Sequence, residues 1–275
     1  MASRRRQRVD IYLLGRGIVD GVSQMTIEAM DALRASRLVF DLSGDAKAIR
    51  KIHHNVIDLS DDYWTGELCD DVYKRLEETV VAEVRKNGPG VSIIVDGHPM
   101  LFDDVNWSLL RKGKRRGLNV VAIPGISSLD TMMIDVGEDL GNGAQIVHAN
   151  QLLVYEIALD PHLQTYVLQV GKFGTEFFSR ETRRNLPGRF TPLAAHLTRF
   201  YPADHMATLI ISLGKKSIRC RIRLGELDNA RAFLHRHQDD GLTMYIPAYP
   251  RPIADERFSS AINDPDHLPT IAELA

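Results

Sequence analysis

The sequence has little cysteine, no long apolar run and almost no charge excess, and each lack removes a class of protein. Only two of its 275 residues are cysteine, Cys69 and Cys220, and they stand far apart. That excludes a disulfide framework and a cysteine-based metal site, and it sets a reducing cytoplasm as the expected compartment. The longest apolar stretches, such as Ala207–Leu213, have the length of core strands and not of membrane spans, so no membrane association is expected. The apolar run behind the basic first ten residues is too short for a secretory signal. A formal net charge of −2 with 44% hydrophobic residues argues against disorder and against nucleic-acid binding by bulk charge. The one local exception is Arg4-Arg5-Arg6-Gln7-Arg8, read as a solvated tail or as an arm contacting phosphate or peptide.

What is present is a β-α alternation. Strand patterns at Val9–Leu14, Leu38–Phe40, Asn55–Leu59, Val91–Val95 and Leu118–Ile123 are separated by helical ones. Met25, Ala29, Ala32 and Leu33 recur at helical spacing, Ala46–His53 is a second helix candidate, and Val72, Leu76, Val80 and Val84 line one face of a longer one. That helix stops at Asn87-Gly88-Pro89-Gly90. A further helix is expected over Val105–Lys114, and another passes through Met132 and Met133. The pattern predicts an α/β fold with a mostly parallel sheet over residues 9–138. Polar and Gly residues at 139–143 mark a boundary to a second α/β domain with a mixed sheet, residues 144–250. There, strands are expected at Tyr166–Val170, Met206–Ser212 and Ser217–Leu224, the last two joined by Gly214-Lys215-Lys216, with helices at Pro192–Phe200 and Asp228–Arg236. Residues 251–275 read as a peripheral tail, packed on a partner subunit.

The chemistry concentrates where strands end. Val91–Val95 runs into Asp96-Gly97-His98-Pro99-Met100-Leu101-Phe102, and in open α/β sheets ligands bind beyond such carboxyl ends. His98 is either a turn residue or a ligand contact; Asp96 either caps the turn or accepts from a ligand. Pro124-Gly125-Ile126-Ser127-Ser128 ends the next strand, where either serine can cap the following helix or meet the same ligand. Gly15-Arg16-Gly17 lacks the third glycine of a dinucleotide fingerprint, leaving a tight turn or a close backbone approach to a ligand. His53 and His54 are expected to point apart on a helix, and no metal site is expected. Tyr63, Trp64 and Tyr73 flank residues 65–71, as aromatic packing at a helix start or as a phenol poised near a substrate.

At these residues the chain resembles the tetrapyrrole methylase superfamily, which uses S-adenosylmethionine (SAM). The resemblance rests on Tyr12-Leu13-Leu14-Gly15-Arg16-Gly17, Gln24-Met25-Thr26, Asp96-Gly97-His98-Pro99 and Val121–Ser128. Leu168-Gln169-Val170-Gly171 and Tyr201-Pro202-Ala203-Asp204-His205 continue it, so that it spans about Val9 to Pro247. The Gly-His-Pro loop, Asn150-Gln151 and the Tyr-Pro-x-Asp-His element are similar to borosin-type peptide backbone N-methyltransferases, especially the split kind acting on a separate precursor peptide. Gly97-His98-Pro99-Met100 also resembles the methylase-like domain fused to MazG pyrophosphatases. Borosin enzymes carry an Arg four residues before a Tyr; here Tyr73 is present, position 69 is Cys, and Arg75 lies two residues beyond on a face turned elsewhere.

The resemblance implies two α/β domains of the tetrapyrrole methylase type with a SAM cleft between them. It implies that Val95, Asp96, Gly97, His98, Leu101 and Phe102 line the methionine and ribose side, joined by Ile126, Ser127 and Ser128. Gln151, Leu152, Gln169 and Gly171 would hold the adenine from the second domain, with Tyr63 and Tyr73 handling substrate or proton. It further implies a homodimer and methyl transfer to a backbone amide of a precursor peptide. The alternatives are a tetrapyrrole-like small-molecule acceptor, or a SAM-binding module without turnover.

Overall fold

The computed structural model describes residues 8–178, 185–214, 216–238, 241–266, 268 and 271. Most of the basic tail, Arg4 to Gln7, and Lys215 of the expected hairpin turn lie outside the described residues, as do parts of the tail beyond position 266. The first half contains β1 (Ile11–Gly15), α1 (Ile27–Ala35), β2 (Leu38–Asp41), α2 (Ala46–Ile49), β3 (Val56–Asp58), α3 (Cys69–Asn87), β4 (Val91–Val95), α4 (Asp104–Gly113), β5 (Val120–Ala122) and α5 (Ser128–Val136). Its strands form one parallel sheet in the order β3-β2-β4-β1-β5.

Alternate residues of β4 serve opposite faces, as a pleated strand requires. Val91, Ile93 and Val95 pack with Val72, Leu76, Val80 and Val84 of α3 and Val105 and Leu109 of α4. Ile94 packs with Ala29, Ala32 and Leu33 of α1 on the other side. The connections leaving β1 and β4 therefore run over opposite faces of the sheet. The crevice they leave lies where Gly15 is paired with Val95, at the carboxyl ends of both strands.

The second half contains β6 (Ala144–His148), α6 (Ala149–Val154), β7 (Gln164–Leu168), α7 (Thr191–Leu197), β8 (Met206–Ser212), β9 (Ser217–Arg223), α8 (Arg231–Arg236), β10 (Thr243–Ile246) and α9 (Glu256–Ala261). Its sheet is mixed, in the order β6-β7-β10-β8-β9, with β6 and β7 parallel and the remaining pairs antiparallel. One face carries α6, α7 and α8 on a core that includes Leu152, Val167, Leu193, Leu209, Leu234 and Met244. The other face, with Tyr166, Leu168, Ile210 and Tyr245, is covered by Met132 of α5. The two halves are also bonded there, since Ser212 Oγ lies 2.6 Å from both Thr131 Oγ1 and Asp135 Oδ2.

A second tie between the halves comes from the segment after β7. Glu176–Phe178 pairs antiparallel with Gly66–Cys69, through Cys69 N–H donating to Glu176 O, Phe178 N–H to Glu67 O and Gly66 N–H to Phe178 O. This carries Phe178, 6% exposed, into the core of the first half. Two sequence expectations differ in detail. The helix expected over Ala46–His53 ends after its first turn, and the His53 and His54 rings stack at 5.3 Å beyond it instead of pointing apart. Strands β6 and β10 and helices α6 and α9 were not anticipated.

Candidate active site

Between the carboxyl end of the first sheet and the second sheet lies a cavity of about 720 Å³, the size of a small-molecule site. Its floor is built by backbone contact. An ideal Cβ on Gly15 would sit 2.1 Å from Gly97 O and 2.9 Å from Pro99 Cδ, so the two loops can only meet because position 15 is glycine. Gly97 N–H donates to Gly17 O at 2.9 Å, and Arg16 N–H to Val95 O at 3.0 Å. The turn is then locked from its far side. His98 Nδ1 accepts from Met100 N–H, Asn106 Nδ2 donates to Pro99 O, and Trp107 Nε1 donates to Met100 O. Of the two readings of His98, the ring nitrogen seen here serves the turn.

On this floor Arg16 is almost fully buried, with Nε 2.5 Å from Asp96 Oδ1 and Nη1 donating to Val19 O. The Asp96 side chain stays 62% exposed to water in the cleft. Enclosure by the walls, opposed by the Arg16 charge, pushes its carboxyl up to about 6. Behind it, burial also raises Asp41, against hydrogen bonds from Ser43.

Two wall residues, one from each half, have left-handed backbones: Phe102 at φ 55 and Gln169 at φ 58. Such conformations cost on the order of 1–3 kcal/mol and cluster at functional sites. Phe102 stacks on His148 of the second half, ring centroids 5.8 Å apart. Gln169 Oε1 is buried with no hydrogen-bond partner among the described residues.

At one end of the cavity Tyr63, Trp64, Tyr73 and Phe178 gather. Phe178 lies 5.1 Å from Tyr63 and 5.5 Å from Tyr73, the two tyrosines meet edge-on, and Lys172 Nζ sits over the Phe178 ring. The aromatics thus both pack and line the cleft. Burial, reinforced by Asp103 and Asp96, drives the Tyr63 phenol far up, and burial together with Cys69, Tyr63, Asp104 and Asp103 does the same to Tyr73. Arg75 faces away, paired with Glu67 and donating to Asp62 O.

Of the residues singled out from the sequence, Val95, Asp96, Gly97, His98, Leu101, Phe102, Ser128, Gln169, Tyr63 and Tyr73 line this cavity. Five do not. Ser127 is consumed as the cap of α5, exchanging hydrogen bonds with Asp130, and Ile126 precedes it on the loop without reaching the wall. Leu152 points into the core of the second half, which leaves its neighbour Gln151 on the solvent side of α6. Gly171 is pressed against the Gln238 backbone. The second-half wall is instead Leu168, Gln169, Ile211, Ser212, Leu213, Gly241 and Thr243. The structure adds Arg16, Asp20, Ser43, Asp103 and Lys172, of which only Arg16 carried a sequence signal, its place between two glycines. Among the described residues no group of three or more His, Cys, Asp or Glu could hold a metal ion, and no helix is long and apolar enough to cross a membrane.

A parallel sheet and a mixed sheet meeting over a glycine-floored cleft define a two-part α/β protein with a cavity of small-molecule size between its sheets. Residues 10–214 match the family of Tetrapyrrole (Corrin/Porphyrin) Methylases, and the chain belongs to that family. It is 29% identical over 200 residues to the methyltransferase/ribosomally synthesized cyclic peptide dendrothelin A precursor of Dendrothele bispora, covering 71% of this chain and 47% of that one. The corresponding omphalotin A precursor of Omphalotus olearius gives the same identity and coverage. The chain thus spans about half the length of the curated relatives it matches. Among solved structures, uroporphyrin-III-C-methyltransferase from Thermus thermophilus shares the fold with a TM-score of 0.60 at 15% identity, covering 90% of this chain and all of that one.

Proposed function

We propose that this protein is a SAM-dependent methyltransferase whose acceptor is a backbone amide of a separate precursor peptide. The observation that carries the reading is the cleft itself, a floor at Arg16, Ile18 and Gly97 seated on the Gly15–Gly97 backbone contact, beside an aromatic end built from Tyr63, Tyr73 and Phe178. The family match supports SAM, and the cyclic peptide precursors of Dendrothele bispora and Omphalotus olearius, to which the chain is similar, support a peptide.

The residues present suit the cofactor. The unsatisfied Gln169 Oε1 is an acceptor of the kind an adenine amino group would fill, and the Asp96 carboxylate suits a ribose hydroxyl or an ammonium. Val95–His98, Leu101, Phe102 and Ser128 would hold its methionine and ribose side, and Leu168, Gln169 and Thr243 its adenine. When bound, SAM supplies an activated methyl group; the protein supplies alignment and a dry site. Tyr63 and Tyr73, held neutral, would donate hydrogen bonds that position the acceptor. The family resemblance also carries a homodimer, for which exposed Ile27 and Ile134 are candidate contact residues.

The test is incubation of the purified protein with SAM and separate peptides, read by mass spectrometry with fragmentation to locate a methyl on a backbone nitrogen. Methylation of a small molecule alone would replace the peptide reading. Binding of SAM with no acceptor methylated would replace the enzyme by a binding module.

A further inference from the structure

We propose that Asp103 is the group that takes the proton of the acceptor nitrogen during methyl transfer; this rests on the methyltransferase reading above. The carboxyl follows Phe102 on the strand-end loop and lines the cavity beside Tyr63 and Tyr73. Its Oδ1 accepts from Asn106 N–H at 2.7 Å and caps α4. Among the described residues no hydrogen bond engages its second oxygen, Oδ2, and the residue is part of the cavity wall.

A transfer to nitrogen leaves a proton to place. The acceptor nitrogen forms the new N–CH3 bond with an electron pair, the pair of the breaking S–CH3 bond stays on sulfur, and the N–H proton passes to Asp103 Oδ2. A sulfonium cation and a carboxylate anion go in; a thioether and a carboxylic acid come out. Both charges vanish together, a change that the apolar aromatic end of the cleft favours. The other groups at this end do not offer that exchange. Tyr63 and Tyr73 keep their protons at neutral pH, since burial and the surrounding carboxylates oppose phenolates. Cys69 puts no cation at the start of α3 to reverse this, and Arg75 is engaged outward with Glu67.

The charged and titratable groups around Asp103 are Asp104 on its own helix, Tyr63 from the turn before α3 and Tyr73 from α3. Along the same cleft stand His98, Asp96 with Arg16, and Lys172 from the second half. Burial, with Asp104 adding to it and the Asn106 hydrogen bond opposing it, pushes the Asp103 carboxyl up to about 7. A base so poised divides its population near neutral pH, which is where proton transfer is most effective.

The test is Asp103→Asn, which keeps the shape and the helix cap. The expected result is a kcat for peptide methylation lower by about 10²–10⁴-fold, with KM changed much less and the acid limb of the pH–rate profile lost. Carbon-13 NMR of aspartate-labelled protein gives a readout independent of turnover: a carboxyl titrating near pH 7 in the wild type and absent from the variant. An Asp103 carboxyl that titrates in the ordinary aspartate range overturns the proposal, whatever the acceptor. Peptide methylated by the variant at the wild-type rate overturns it while leaving the methyltransferase reading intact. Failure of the wild-type protein to methylate any acceptor, peptide or small molecule, removes both.

Discussion

Gly15→Ala puts one methyl group where the fold has no room for it. The new carbon would stand 2.1 Å from Gly97 O and 2.9 Å from Pro99 Cδ, against backbone on one side and a rigid ring on the other. Neither neighbour can swing away as a flexible side chain would, so the Asp96–Met100 turn must retreat from β1 by about 1 Å. That retreat strains the packing by about 1–3 kcal/mol and loosens the two Gly17–Gly97 hydrogen bonds, worth about 1 kcal/mol each. The expected destabilisation is about 2–4 kcal/mol in urea unfolding. Because the same turn carries Asp96, His98 and the Asn106 link to α4, a 1 Å error is also expected to cost about 10²-fold in turnover. Loss of SAM affinity by calorimetry should accompany it. A variant that unfolds within about 0.5 kcal/mol of the wild type and binds SAM normally would refute the argument that the floor is built on this contact.

Asp103→Asn should also change stability with pH, since a carboxyl raised to about 7 in the fold lends stability below about pH 4 that is lost as pH rises through 7. The amide does not ionise, so the variant should gain on the wild type across that window, by about 1–2 kcal/mol once water in the cleft is allowed for, measured by thermal unfolding at pH 4 and pH 8. Phe178→Ala should cost about 3–5 kcal/mol in urea unfolding, because it empties a site in the first-half core; a cost below about 1 kcal/mol would show that the pairing with Gly66–Cys69 holds without it. Cys69→Arg should bring the Tyr73 phenol down, by putting a cation where the Cys69 thiol now opposes the phenolate, visible in its ultraviolet titration; an unmoved phenol would place the new cation elsewhere.

Much of the first sheet was legible because buried parallel strands are written as short apolar runs closed by glycine or proline, as at Val91–Gly97. Strand β10 was not, since Thr243–Ile246 offers only four residues, and β6 was not, since Ala144–His148 mixes polar and apolar residues at a sheet edge. The Tyr63–Tyr73 segment was visible but ambiguous; its pairing with Phe178 joins positions a hundred residues apart, which no local spacing reveals. Leu152 and Gly171 stand outside the cavity lining for a related reason. Resemblance locates a residue along the chain, while the side of the helix or loop it occupies is decided by packing. Asp103 shows in sequence only as a polar residue before a helix; its chemistry comes from the walls that enclose it.

The insertion of Phe178 also bears on how the molecule comes apart. Released as an isolated piece, the first half would keep an unfilled hole beside Tyr63 and Tyr73, and the second would expose a phenyl ring and the sheet face that α5 covers. Neither piece owns a complete interior. Melting of the two sheets is therefore expected as a single calorimetric peak, and a nick between them should leave fragments that recover structure only when mixed.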